Sequence, residues 1–246
     1  VTHPALRETS HRSEPLPRRP WFLAMEWRDL ALLHWPVPAA ALRPLLPAAL
    51  EVDEFGGTAW IGVVPFLMCG VRLHWLPPCP GAGAFPELNV RTYVRRSGRP
   101  GIWFFSLDAG SRLAVRGARA LFSLPYFDAR MRCERQDGEV RYRSERAHRG
   151  APPAALRARW RLPAEVAAPP PGTPAHWFVE RYRMYVPARG GGVRTGHVAH
   201  APWHLADAAV ELESCDMTQL CRLALGGPPA FAHAAAPLWV VGWLPE

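Results

Sequence analysis

The sequence predicts one α+β domain rich in antiparallel hairpins, and three observations predict it. Several stretches alternate apolar and polar residues at period two, as in Asn89-Val90-Arg91-Thr92-Tyr93-Val94, which is the pattern of strands. Consecutive alternating runs are joined by turn residues, Ser97-Gly98-Arg99-Pro100-Gly101 and Gln136-Asp137-Gly138, which read as hairpins. A helical stripe runs from Leu113 to Phe122. With 246 residues, 49% of them hydrophobic and 11 of them tryptophan, the chain can fill one core or two small ones, and general disorder is excluded.

In chain order, residues 1–20 are polar and proline-containing and read as a flexible N-terminal arm, with a single domain over 21–246. A strand spans Trp21 to Trp35. Leu42, Leu45 and Leu46 then mark a short helix that Pro38 can begin and Pro47 must end, weakened by Pro44. Thr58 to Met68 is so continuously apolar that both faces of its strand should be covered. Residues 77–83 read as a loop or lid leading into the hairpin 86–108. Ser111 caps a helix to Phe122 whose Arg112, Arg116 and Arg119 lie opposite its apolar stripe, and Gly117 within it suggests close packing onto the sheet. Strands follow from Leu124 to Arg135 and Val140 to Arg146, with a short one at Leu156 to Leu162 in a Pro/Ala-rich link. His176 to Tyr185 reads as a short helix or turn entering a strand. Val193 to His200 is another strand, Leu205 to Glu213 is ambiguous, and Leu238 to Leu244 closes the last sheet edge.

Composition narrows the chemistry. All 29 basic residues are arginine, so no lysine exists to form a Schiff base, and amine-dependent chemistry by lysine is excluded. The net charge of +8 is concentrated between Arg130 and Arg161, but no finger, RNP-like or helix-turn-helix pattern accompanies it; a solvated sheet face explains it better than nucleic acid. The cysteines Cys69, Cys79, Cys133, Cys215 and Cys221 are odd in number and form no CxxC pair, which argues against a disulfide framework. No apolar run is long enough for a membrane span and no apolar signal core opens the chain, so the expected location is cytoplasmic, without a membrane partner.

Candidate site residues come from the hairpin at 86–108. As a strand it sets Glu87, Asn89, Arg91, Tyr93 and Arg95 on one face against Leu88, Val90, Thr92 and Val94 on the other. In the returning strand Ser106 and Asp108 should share a face with Ile102 and Phe104. Such a polar row lines a pocket or faces solvent, and its apolar neighbours favour the pocket. Arg91 could hold a carboxylate in its planar fork, or pair structurally with Glu87. Glu87 or Tyr93 could move a proton; Asn89 could orient a ligand oxygen or complete a buried network. The catalytic candidates are therefore Glu87, Arg91 and Tyr93, with Asn89, Phe104, Ser106, Tyr126 and His200 as ligand-binding candidates. His197, His200 and His204 invite a metal reading, but Gly196, Pro202 and strand character at 193–200 spoil the ligand geometry, so no metal is expected. Phosphate-loop, dinucleotide and Gly-x-Ser-x-Gly patterns are absent, and no cofactor is expected.

Three phrases in order, Pro86 to Val94, Gly101 to Ala109 and Ala118 to Tyr126, closely resemble the DUF2071 or YqjF-like family. Val64-Pro65-Phe66, Glu180 to Tyr185 and His200 to Leu205 are similar to its pattern too, and the resemblance covers about residues 20–244. It implies the acetoacetate-decarboxylase-like fold, a closed, mainly antiparallel β-barrel-like sheet with flanking helices around a buried polar cavity. Decarboxylases of that superfamily carry a lysine just after a Gly-Phe-Pro turn; the similar place here is Ser123 to Phe127, with Tyr126 and Phe127 where the amine would stand. Glu87 resembles the superfamily's cavity carboxylate in position. Two functional classes follow, the first from the polar row together with the resemblance and the second from the aromatic residues Trp60, Phe66, Trp103, Phe104 and Tyr126. One is a lysine-independent lyase, isomerase or decarboxylase-like enzyme acting on a small organic acid; the other is a non-catalytic small-molecule binding protein. The sequence is compatible with a homo-oligomer.

Overall fold

The computed structural model describes residues 2–76, 83–188 and 190–246. The loop or lid expected over 77–83 falls, Gly83 apart, outside the described residues. Six strands make up the first half: β1 (Leu23–Arg28), β2 (Leu30–Val37), β3 (Glu51–Val52), β4 (Ala59–Leu73), β5 (Ala84–Arg96) and β6 (Arg99–Ala109). Then come β7 (Tyr126–Gln136), β8 (Glu139–Arg146), β9 (Ala155–Arg161), β10 (Arg183–Pro187) and β11 (Val193–His200). The last four are β12 (Leu205–Asp207), β13 (Val210–Cys215), β14 (Phe231–Ala235) and β15 (Leu238–Gly242). Among the described residues there are also three α-helices, α1 (Ala39–Leu42), α2 (Arg112–Phe122) and α3 (Pro174–Val179).

The expected closed barrel is not what forms. Hydrogen bonding follows one path, β12-β14-β2-β4-β1-β15-β11-β10-β6-β7-β8-β9-β13, with β12 and β13 as its two ends, and β5 lies off it, pairing β3, β4 and β6. The sheet is mixed as well: β6 pairs in parallel with both β10 and β7. Alternation reports which side of each strand is buried, but not whether the sheet's ends meet, so closure had no local signal. The strand expected from Trp21 to Trp35 is interrupted at Asp29, whose φ is 49°; β1 and β2 run on either side of it, both antiparallel to the 15-residue β4. Pro44 splits the short helix into α1 and a 3-10 turn at Arg43–Leu45. β15 lies between β1 and β11 rather than at a sheet edge.

Strands β4 and β5 are covered on both faces, which explains their apolar continuity. One face meets the large cluster containing Val64, Phe66, Phe85 and Phe122; the other, through Leu88 and Val90, packs on Tyr142, Leu156 and Trp160 of β8 and β9. Alternation in β8 is strict, with Val140, Tyr142 and Ser144 buried and Arg141, Arg143 and Glu145 exposed. The basic stretch thus forms an outer face, tied in part by the bidentate Arg159–Glu211 pair at 2.6 and 2.7 Å.

Ser111 caps α2, its Oγ accepting from the Ala114 amide at 3.3 Å. Val115 and Phe122 are buried, but Leu113 and Leu121 remain 68% and 47% exposed. A Cβ at Gly117 would meet nothing within 4 Å, so this glycine does not serve the close packing expected of it. Residues 2–20 hold one 3-10 turn at Pro4–Leu6 and contact the domain through Arg12, bonded to the Val198 carbonyl at 3.2 Å, and Arg19, bonded to that of Leu244 at 2.7 Å. No helix among the described residues is long and apolar enough to cross a membrane.

Candidate functional site

A cavity of about 370 Å³ opens between the β4–β5–β6 face, β1 and α2. Because side chains of β5 alternate, Phe85, Glu87, Asn89 and Arg91 all reach its wall. Tyr126, at the start of β7, and His200, at the end of β11, line it as well, as does Phe104. Two sequence candidates do not line it. Tyr93 is fully buried behind Arg91, among Trp177, Phe178 and His34. Ser106 is turned away by a β-bulge: Val90 pairs with Ser106 and Arg91 with Phe104, leaving Phe105 as an extra residue. Ile102 and Phe104 before the bulge and Leu107 and Ala109 after it belong to the cavity-side core. Ser106 and Asp108 therefore leave the face that simple alternation assigns them.

Glu87 and Arg91 share the wall but form no ion pair; the described residues hold no Arg91 salt bridge at all. The Arg91 guanidinium is 5% exposed, always charged, and donates from Nη2 only to the Tyr93 hydroxyl at 3.3 Å and, at 3.5 Å, to the Phe178 carbonyl. Its Nε and the Asn89 amide oxygen have no partner among the described residues. Behind Arg91, the Tyr93 hydroxyl lies 2.7 Å from His34 Nε2. Burial keeps His34 neutral by driving its pKa well down. Arg91 can only donate, so the Tyr93 hydroxyl accepts from it and has its own proton to give to His34 Nε2, which accepts it in the tautomer protonated on Nδ1. Phe178 stacks on the His34 ring at 3.7 Å, and a Cβ at Gly62 would come within 3.1 Å of Nε2, so the ring is fixed from both sides.

Burial pushes the Glu87 carboxyl up to about 8, against the hydrogen bond from the Tyr126 hydroxyl at 2.9 Å, which pulls it down; the nearby Asp108 adds to the rise. Glu87 is therefore a neutral acid at pH 7, able to give or take a proton in an apolar setting. His200 is held neutral, at about 3, by burial. Its Nδ1 donates to the Ala201 carbonyl at 2.8 Å, which leaves Nε2 as an unpartnered acceptor. His197 lies beside Glu246 and His204 is exposed, so the three histidines do not converge, and among the described residues no three His, Cys, Asp or Glu side chains form a metal-ligand group.

The site also contains residues that the sequence reading missed. Arg181 and Arg183 reach the cavity, Arg181 bonded to Asp53 at 2.5 Å and Arg183 paired with Glu14. Their two-residue spacing in Glu180-Arg-Tyr-Arg-Met-Tyr185 was a signal, but the acids that neutralise them come from distant segments. Trp27 and Trp203 line the wall with indole N–H groups that lack partners among the described residues.

Against known proteins, residues 24–238 match the model of DUF2071, described as an uncharacterized conserved protein. The chain is 39% identical over 223 residues to the uncharacterized protein YqjF of Bacillus subtilis, covering 91% of each. Among solved structures it resembles an acetoacetate decarboxylase-like enzyme from Sphingomonas wittichii (TM-score 0.61, 14% identity, 96% of this chain and 97% of that one). It also resembles the enduracididine biosynthesis enzyme MppR complexed with pyruvate (TM-score 0.56, 15% identity, 95% and 90%). At these identities the likeness shows the fold alone, of the acetoacetate decarboxylase-like kind. The family match and the relative together show that the chain belongs to the DUF2071 family.

Proposed function

We propose that the cavity binds a small organic acid, with Arg91 holding the carboxylate and Glu87 moving a proton, in a reaction that uses no lysine amine. The observation that carries this reading is Arg91: a buried guanidinium that faces a cavity and has no carboxylate partner among the described residues. Leaving a buried charge without a counterion is costly, and an incoming carboxylate removes that cost. Tyr93, tied to His34, acts as a positioning residue for Arg91 rather than as the proton carrier. The ionised fraction of Glu87 can take the α-proton of an enolisable acid, breaking the C–H bond, and return a proton to carbon of the resulting enolate, so that the net change is proton exchange or isomerisation. Tyr126, at the place similar to that of the superfamily's lysine, then holds the Glu87 carboxylate by its hydroxyl rather than attacking the substrate.

The experiment is a turnover screen with 2-oxo and 3-oxo acids, following loss of substrate and proton exchange with deuterated water by NMR. Activity should disappear in Arg91→Gln and Glu87→Gln variants that keep the wild-type circular dichroism and melting behaviour. Turnover unchanged by Arg91→Gln would overturn the reading. A ligand bound through Arg91 but recovered unaltered after long incubation would select the second reading, a non-catalytic binding protein, which the largely apolar wall favours.

A further inference from the structure

We infer that the ligand of this cavity is a monocarboxylate with an extended apolar body, its carboxylate at Arg91 and its tail running past the cavity face of α2. The inference rests on the reading of Arg91 as the carboxylate anchor and adds the class of acid. Three observations carry it.

The first is charge. Three guanidiniums reach the wall; Arg181 is neutralised by Asp53 and Arg183 by Glu14, so of these three only Arg91 has no acid partner among the described residues. One free positive charge matches one carboxylate, and a second carboxylate would be buried without compensation.

The second is the wall itself. Apart from Glu87, Asn89, the three arginines, Ser111, Tyr126, His200 and the indole N–H groups of Trp27 and Trp203, it is hydrocarbon and aromatic, with Phe22, Met25, Val64, Phe85, Phe122 and Leu124 among its residues. At roughly 30 Å³ per water, 370 Å³ is room for about a dozen water-sized groups. A three-carbon keto acid would leave much of that apolar space unfilled, and apolar space is poorly held by water.

The third is a direction for the tail. Ala114, Gly117, Ala118 and Leu121 recur at helical spacing on the α2 face that lines the cavity, and the open space at Gly117 is a notch where a larger side chain would stand. Leu113 and Leu121 both line the cavity and remain exposed, which places its mouth along this helix.

Isothermal titration of the full chain with acetate, pyruvate, butyrate, hexanoate, octanoate, octanedioate and 1-octanol tests the proposal. Affinity should rise about fourfold per added methylene from butyrate to octanoate. Octanedioate and octanol should each bind at least tenfold more weakly than octanoate. Gly117→Leu improves helix propensity, and its Cβ meets nothing within 4 Å; it should lower the octanoate-to-butyrate affinity ratio at least fivefold. Pyruvate or butyrate binding as tightly as octanoate, with both lost in Arg91→Gln, would overturn the apolar-tail inference and leave the anchor standing. Octanol binding as well as octanoate, with no effect of Arg91→Gln, would overturn the anchor itself. An unchanged ratio in a folded Gly117→Leu variant would overturn the path along α2.

Discussion

Two buried acid–base pairs of residues lie on opposite sides of the same hairpin, and they are built differently. On the outer side Arg146 clasps Asp108 through Nε and Nη2 at 2.7 and 2.6 Å, with side chains 1% and 0% exposed. On the cavity side Glu87 and Arg91 are equally hidden yet do not pair, Glu87 taking a hydroxyl from Tyr126 and Arg91 offering its charge to the void. The outer pair compensates its own charge without any ligand, although Arg146 Nη1 has no hydrogen-bond partner among the described residues, and it serves the fold. The inner two are incomplete without one, and the difference separates a structural ion pair from a binding site better than burial or residue type does.

That contrast can be broken most severely at Arg146. Arg146→Met strands the buried Asp108 and should lower unfolding free energy by about 3–5 kcal/mol in urea titrations, while Asp108→Leu combined with Arg146→Met should recover most of it. Equal losses in the single and double variants would show that the pair is not what matters there. Next in size is the pH dependence set by Glu87. Its pKa rises from 4.5 to about 8 on folding, so the native state binds the proton more tightly. The resulting stability is fully present below about pH 4.5 and is lost as pH rises through 8, at up to roughly 1.4 kcal/mol per pH unit in between. Glu87→Gln should therefore gain on wild type steadily between pH 5 and 7.5, and parallel pH profiles would contradict the raised pKa. The same ionisation puts an anion beside a bound carboxylate, so octanoate affinity should fall above pH 8 in wild type but stay flat in Glu87→Gln.

Arg91 gives a smaller, opposite signal. Because no acid is stranded by its removal, Arg91→Met should leave stability within about 1 kcal/mol of wild type or raise it, in contrast to Arg146→Met. A loss as large as that at Arg146 would mean Arg91 has a partner in the fold after all. The smallest effect is expected at Ser106. If the bulge at Phe105 turns it off the cavity, Ser106→Ala should change octanoate affinity less than twofold, and a tenfold loss would place its hydroxyl at the ligand.

Much of the succession of strands and helices along the chain was legible, though not their order in the sheet. The alternation from Glu87 to Tyr93, the Ser111 cap and the Gln136-Asp137-Gly138 turn are local signals, decided by period, capping and turn chemistry within a few residues. What escaped the sequence was whatever depends on two distant segments. One inserted residue, Phe105, inverted the faces of Ser106 and Asp108, and a bulge has no reliable local mark. Asp53 and Glu14 neutralise Arg181 and Arg183 from 128 and 169 positions away in the chain.

By itself the sequence determined that no lysine could carry the chemistry and that Glu87, Asn89 and Arg91 stand on one side of a strand, because composition and side-chain period need no tertiary context. Only the folded chain decided that the hydrogen-bonded path ends at β12 and β13 without closing, that Ser106 and Tyr93 stay off the cavity wall, and that, among the described residues, Arg91 is left without an acid while its two neighbouring arginines are not. The physical reason is that charge compensation and sheet closure are relations between remote segments, and each is settled only when burial makes an unpaired group costly.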